Sequence, residues 1–416
     1  MSFSSSSSAS GGTRGAVLAL ALLATGCGGA TRATVPDASA PDGATPAPPA
    51  YRPRIALFPP QNLSGRPARA KELEQALEKA LRSRGIDVVA GDAVRRALAA
   101  QRIRYTGGLD RVSARAMRDG LGADAVLIPS IQLDDPAYPP RLALDARLLS
   151  TGDPPLILWE DGVARGGGDS PGLLNLSLTR TMDDLQGQVL NQLADSLASY
   201  LKGNGARRPD CGDIKPRVAH RSKKLDGPPV LTVAVLPFSN QTERRNAGEA
   251  VELELVRQLV GTGKFRVVEP GTVRAEMLAG RVTVAGGASL DAARVMGAAL
   301  GADVLVGGAV RDYQDPPAQA GPPQVEVGVQ AIDARTGDVL WWSSSRSRGD
   351  DGVVLFGLGR VSTATELACG VARGVAERMA GDRSPAAPPA LPPRATPSPP
   401  PPGGAGTGTP PKGISP

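Results

Sequence analysis

The chain is poor in the residues that most often carry chemistry. Its 416 residues include one histidine, His220, and three cysteines, Cys27, Cys211 and Cys369. A lone His with no second His or Cys beside it cannot build a zinc site. A Ser-His-acid set would have to be assembled around that same residue. His220 stands in a polar stretch and reads as solvent-exposed. Aromatic residues make up only 3% of the chain, so the cores must be built from Val, Leu, Ala and Ile. The net charge is +6. No Arg/Lys block is dense enough, or interleaved with enough aromatics, to suggest nucleic acid. No apolar run is long enough to span a bilayer as a helix.

The longest apolar run is "AVLALALLA", Ala16 to Ala24. It follows a polar start with one basic residue, Arg14, and suits a signal-peptide core over residues 1–26. The "ATGC" after it, Ala24 to Cys27, resembles the bacterial lipobox, with Ala where the usual Leu stands three before the Cys. That resemblance implies acylation of Cys27 and anchoring of the mature chain to a membrane. An ordinary secretory peptide leaving a free Cys is the alternative. Gly28 and Gly29 follow the Cys; retention at the inner membrane calls for Asp there, so the resemblance implies the outer membrane. With Cys27 used, Cys211 and Cys369 remain as a disulfide candidate, or as two buried thiols.

Residues 27–52 are rich in Ala, Pro and Gly and read as a flexible tether. Residues 383–416 read as a disordered Pro/Gly-rich tail. Residues 206–228 read as a basic linker. Between these lie two similar blocks, 53–205 and 229–382. "LGADAVLIPSI" (Leu121 to Ile131) in the first returns as "LGADVLVGGAV" (Leu300 to Val310) in the second. Each block opens with a short apolar strand stopped by Pro, "RIALFPPQN" and "TVAVLPFSN". Apolar residues at helical spacing follow: Leu73, Leu77 and Leu81, then Val251, Leu255 and Leu259. Asp110 and Ser289 are N-cap candidates for a later helix. Gly122 and Gly301 fall where that helix must stop in a left-handed turn. Thr-Gly-Asp turns at 151–153 and 336–338 signal hairpins. Helices near 179–201 and 363–380 close the blocks. The expected order per block is β-α-β-α-α-β-β-β-α: an α/β fold with a mixed sheet, present as two tandem domains.

"VAVLPFSN", "LGADVLVGGAV" and "AIDARTGDVLWWS" together resemble one group of bacterial envelope lipoproteins. The group includes the curli-secretion channel lipoprotein, the lipoprotein activators of penicillin-binding proteins and the N-terminal domain of TolB. The resemblance implies a small α/β domain of this element order. Its members do different things on one scaffold, so it assigns no binding residue. A curli-type pore needs inserted strands alternating over roughly 9–11 residues. The candidate inserts at 132–141 and 311–323 are short and broken by Pro, and "GVVLFGLG" in 343–359 does not alternate.

No stretch supplies a reaction. "GTGKF" lacks the spacing of a phosphate loop and falls between helix and strand, the wrong order. Asp110, Asp124, Asp303 and Asp338 fit caps and turns. Trp341 and Trp342 are neighbours on a strand and so point to opposite faces. One should enter the core, and the other should reach an outer face or a partner. The alternative is helices covering both faces. The expected function is a non-enzymatic, lipid-anchored envelope protein that docks an unidentified protein partner in the periplasm, without cofactor or nucleic acid. The alternative is an oligomeric secretion subunit of curli-channel type.

Overall fold

In a computed structural model, the protein is described over residues 52–169, 178–205, 207, 211–226, 230–282, 290–317, 320–353 and 359–381. Cys27, the signal segment, Ser289 and the tail lie outside these residues. The described chain builds two sheet-and-helix units of the expected α/β class and order.

The first unit contains β1 (Arg54–Leu57), β2 (Gln61–Asn62), α1 (Ala70–Arg82), β3 (Asp87–Val89), α2 (Asp92–Ala100) and α3 (Arg111–Leu121). The long strands β4 (Ala125–Asp135), β5 (Arg141–Ser150) and β6 (Ile157–Gly166) follow, then α4 (Met182–Leu201). The sheet order is β3-β1-β4-β5-β6, with β2 beside β4. Strands separated by helices pair in parallel, β1 with β3 and β4, while hairpin-linked β4, β5 and β6 pair antiparallel.

The second unit begins with β7 (Arg217–Arg221), then β8 (Leu231–Val235), β9 (Ser239–Asn240), α5 (Ala247–Gly261), β10 (Phe265–Val267), α6 (Pro270–Ala279) and α7 (Leu290–Leu300). It ends with β11 (Val304–Gln314), β12 (Gln324–Asp333), β13 (Val339–Arg348) and α8 (Ala364–Ala380). The sheet order is β10-β8-β11-β12-β13-β7, with β9 beside β11. The linker expectation for 206–228 is corrected here, because β7 comes from that stretch. The edge of β13 leaves backbone N–H and C=O groups unpaired, and "RVAHR" fills it antiparallel, placing His220 opposite Trp342. The second unit therefore starts before residue 229. Nothing in the polarity of that stretch marks it as a strand.

The repeated Leu-Gly-Ala-Asp has a defined structural role. Gly122 ends α3 at φ +62° and Gly301 ends α7 at φ +60°, a region costly to any residue with a Cβ. The following Asp then clamps the first strand of its unit. Arg54 N–H donates to Asp124 Oδ2 at 2.8 Å, and Asp124 N–H donates to Arg54 O at 2.8 Å. Thr232 and Asp303 repeat both bonds at 2.8 Å. The device sets the register between helix exit, first strand and central strand.

Helices α1 and α4 cover one face of the first sheet through Leu73, Leu77, Leu81, Leu185, Val189 and Leu193. In the second unit α5 and α8 occupy the corresponding face. α5 also contacts β6 of the first unit, so it lies between two sheets. This explains its composition. Twelve of its 15 residues are buried, including Glu252, Glu254 and Arg257, whereas α1 exposes Lys71, Gln75, Lys79 and Arg82. A helix packed on both sides cannot keep a polar face. One apolar cluster runs through both units, joining Phe58, Leu98 and Met117 to Val233, Leu255 and Trp341. The units are therefore packed as one body rather than strung on a linker. A Cys211–Cys369 disulfide, with Cα atoms 6.1 Å apart, ties the connecting segment to α8. Among the described residues, no helix is long and apolar enough to cross a membrane.

Candidate docking surface

Helices α2 and α3 cover the β1/β4 half of the first sheet's other face through Val94, Leu98, Ala114 and Met117. α6 and α7 do the same in the second unit through Val273, Ala293 and Met296. The remaining half of this face, on the three long strands, differs between the units. In the first it is covered by α5. In the second no described element lies over it.

The covered half carries charge. Asp145, Arg147 and Glu160 are buried on β5 and β6, facing buried Glu252, Glu254 and Arg257 of α5. Arg257 donates to Gly162 O at 3.2 Å and pairs with Glu254. Arg147 donates to Gly107 O at 2.5 Å and lies 3.7 Å from Glu269, the N-cap of α6. Gln61 and Tyr105 of the first unit donate to Glu249 of α5 at 2.6 and 2.9 Å. Buried acids outnumber buried arginines in this layer. Desolvation is the main cause that pushes Glu160 and Glu252 up to about 8 and Glu269 to about 7. Glycines permit the close approach. A Cβ on Gly162 would stand 2.5 Å from the Arg257 guanidinium. A Cβ on Gly108 would stand 2.5 Å from the Gly271 Cα across the junction.

The open half shows the same positions with other residues. The paired strands have equal lengths, 11 residues for β4 and β11 and 10 for the other two pairs. Matched end to end, Glu160 becomes Trp342, Asp145 becomes Gly328, Arg147 becomes Gln330 and Gln132 becomes Arg311. Trp341 is fully buried and its Nε1 donates to Ser343 Oγ at 2.8 Å. Trp342 is 56% exposed and sits between Gln330 on β12 and His220 on β7. Gly307, Ala309, Gly328 and Ser344 share its side of the sheet and give it a low floor. Arg311 lies over Gly328, and Arg311 and Arg346 each approach Glu326 at 3.8 Å. Arg217 lies opposite Ser344 on the same side. Beside Trp342, then, three arginines share the face with two carboxylates, Glu326 and its cross-strand neighbour Asp312. Arg348 is paired with Asp350 at 3.2 Å.

The sequence singled out the two tryptophans but not the arginines around them. The available signal was the alternation in "WWSSSRSR", where every second residue from Trp342 is Trp, Ser, Arg and Arg. His220 is exposed, with Nε2 3.0 Å from Val339 O. Cys211 and Cys369 are bonded and buried, beside a small pocket that Asp145, Arg257 and Thr365 also line. A cleft of about 670 Å³ along α4 is lined by Gln188, Asn191, Gln192 and Ser199, and its Asp195 is held by Arg84 at 2.7 Å. Among the described residues, no group of three or more His, Cys, Asp or Glu is placed to hold a metal ion.

No known protein family and no curated protein matches the chain. Solved structures with partial similarity include the PelC dodecamer from Paraburkholderia phytofirmans, at 18% identity and a TM-score of 0.27, covering 37% of this chain and 90% of that one. Lipoprotein GNA1162 from Neisseria meningitidis matches at 18% identity and 0.25, covering 31% and 87%. The LpoB C-terminal domain from Escherichia coli matches at 16% and 0.23, covering 30% and 90%. Scores this low assign the chain to no family.

Proposed function

We propose that the chain is a non-enzymatic lipoprotein, anchored through acylated Cys27 to the outer membrane, that docks a protein partner in the periplasm. The anchor rests on the lipobox-like "ATGC" behind its apolar run. The docking role rests on one observation above all: a body whose first sheet is covered on both faces leaves half of its second sheet open, with its one exposed tryptophan among the described residues on that half. An exposed tryptophan at the centre of an uncovered half-sheet has the character of an interface anchor. Catalytic chemistry has no comparable support, since the single His lies at a sheet edge with its ring against a backbone carbonyl.

Two experiments test the two halves of this reading. Cys27→Ser should move the chain from the membrane fraction to the soluble periplasm; a variant that still pellets with lipid overturns the anchor. Trp342→Ala, expressed at wild-type level, should lose the protein that formaldehyde links to the wild-type chain in cells. Unchanged crosslinking overturns docking through this face.

A further inference from the structure

The duplicated architecture says what kind of group covers this face. In the first unit the half-sheet of β4, β5 and β6 is covered by a helix, α5, which meets it with Glu252, Glu254 and Arg257. The charges correspond: α5 brings glutamates toward Arg147 and an arginine toward Asp145 and Glu160. On the open half of the second unit the two acids are replaced by Gly328 and Trp342, and Arg311 and Arg346 are added. A helix seated there has no acids of this kind for an arginine to answer. It meets Arg217, Arg311 and Arg346, with Glu326 and Asp312 as the acids among them, and an indole at the centre, so arginines still outnumber acids there.

A second copy of the chain does not supply that helix. The helix equivalent to α5 is α1. Matching the buried Leu73, Leu77 and Leu81 to Val251, Leu255 and Leu259 sets Gln75 against buried Leu253 and Glu78 against buried Val256. Lys71 and Lys79 are also on the exposed side of α1. With Gln75 and Glu78 in place of those apolar contacts, Glu78 already paired with Arg82 at 2.9 Å, and with Lys71 in place of Glu249, α1 suits water, not an arginine-bearing sheet. The stack of layers is thus closed at α1 and open at β13.

Building on the docking role proposed above, the geometry points to an amphipathic helix of a different protein as the occupant. It carries an apolar stripe that receives Trp342, flanked by carboxylates that pair with Arg217, Arg311 and Arg346. Such helix-on-sheet seating needs no rearrangement of the second unit, because the first unit shows the same half-face filled in this way.

The test uses the purified full chain and two stapled, end-blocked helical peptides. The first has the α5 sequence, Ala247–Gly261, with Arg257→Glu. The second is the same peptide with Glu249, Glu252 and Glu254 replaced by Lys. Trp159 and Trp341 are buried, so a shift in tryptophan emission reports on Trp342. The acidic peptide should give a saturable blue shift, weakened at least 10-fold by Arg311→Glu combined with Arg346→Glu and weakened by salt. The lysine peptide should give none. No saturable shift by the acidic peptide, equal shifts by both peptides, or indifference to the arginine reversals would overturn the inference. So would a shift produced by phosphatidylglycerol vesicles and not by the acidic peptide. A protein captured through position 342 in cells, with no binding of the acidic helix, would leave docking standing and remove only its helical, acidic partner.

Discussion

Replacing Gly271 by Ala puts two opposing effects in direct competition. Gly271 lies in the first turn of α6, where Ala is the better helix former by about 0.5–1 kcal/mol. Helix propensity alone therefore makes Gly271→Ala stabilising. The packing of the two units says otherwise. A Cβ at 271 would stand 2.6 Å from the Gly108 carbonyl carbon and nearer still to Leu109 N, both backbone of the first unit. Carbon atoms in contact sit at about 3.5–4.0 Å, so the units must part locally by roughly 1 Å. No rotamer change can relieve a backbone clash. Overpacking of this kind costs about 1–3 kcal/mol, which exceeds the propensity gain. The net expectation is a loss of about 1–2 kcal/mol, seen as a lower Tm of roughly 2–6 °C. Gly187→Ala is the control: Gly187 lies within α4 with nothing within 4 Å of its Cβ position, and its Tm should rise. Thermal unfolding followed by circular dichroism reads both. A Tm for Gly271→Ala that rises in step with Gly187→Ala would refute the close junction of the units.

The buried acids set a pH dependence. Glu160 and Glu252 are raised to about 8, against about 4.3 for an unfolded Glu, so the folded state holds extra protons between those values. Their stabilising contribution is complete below the unfolded value and is lost as pH climbs through about 8. Tm should therefore fall from pH 5 to pH 8, and Glu252→Gln should flatten that slope; a Tm that rises over this window would contradict the assignment. Asp124→Ala should cost about 1–2 kcal/mol by freeing the Arg54 N–H while leaving Trp342 emission unchanged, whereas a loss of partner binding at full stability would give the Leu-Gly-Ala-Asp motif a chemical role. Reducing Cys211–Cys369, which are separated by 158 residues, should lower stability by roughly 3–5 kcal/mol, measured by denaturant unfolding with and without dithiothreitol.

Much of the fold was legible because its signals are local. Buried leucines at helical spacing placed α1, and Gly122 and Gly301 marked helix ends that their positive φ now accounts for. The Asp of the repeated motif was legible as a turn residue. Its clamp on Arg54 and Thr232 was not, because the partner lies some 70 residues away in sequence. The strand "RVAHR" was hidden because all but its last residue are exposed and so leave no apolar alternation. The junction of the units was hidden for a related reason. A glutamate in an apolar helix reads as a polar face, yet Glu252 and Glu254 are buried because a second sheet lies above them. Only the comparison of α1 with α5 holds the clue: Gln75 and Glu78 stand where α5 has Leu253 and Val256. The docking face was half legible. Opposite directions for Trp341 and Trp342 followed from strand geometry, but which face was open depended on where the other unit packs.

The central claim is that the outer half of the second sheet is the surface through which this protein works. Its most direct test is a photo-crosslinking amino acid placed singly at Trp342, at the exposed Lys79 of α1, and at the buried Glu160, in chains expressed in intact cells. The account predicts one discrete crosslinked partner from position 342, none from 79, and only crosslinks within the chain from 160. The same products from 342 and 79, or none from 342, would contradict it.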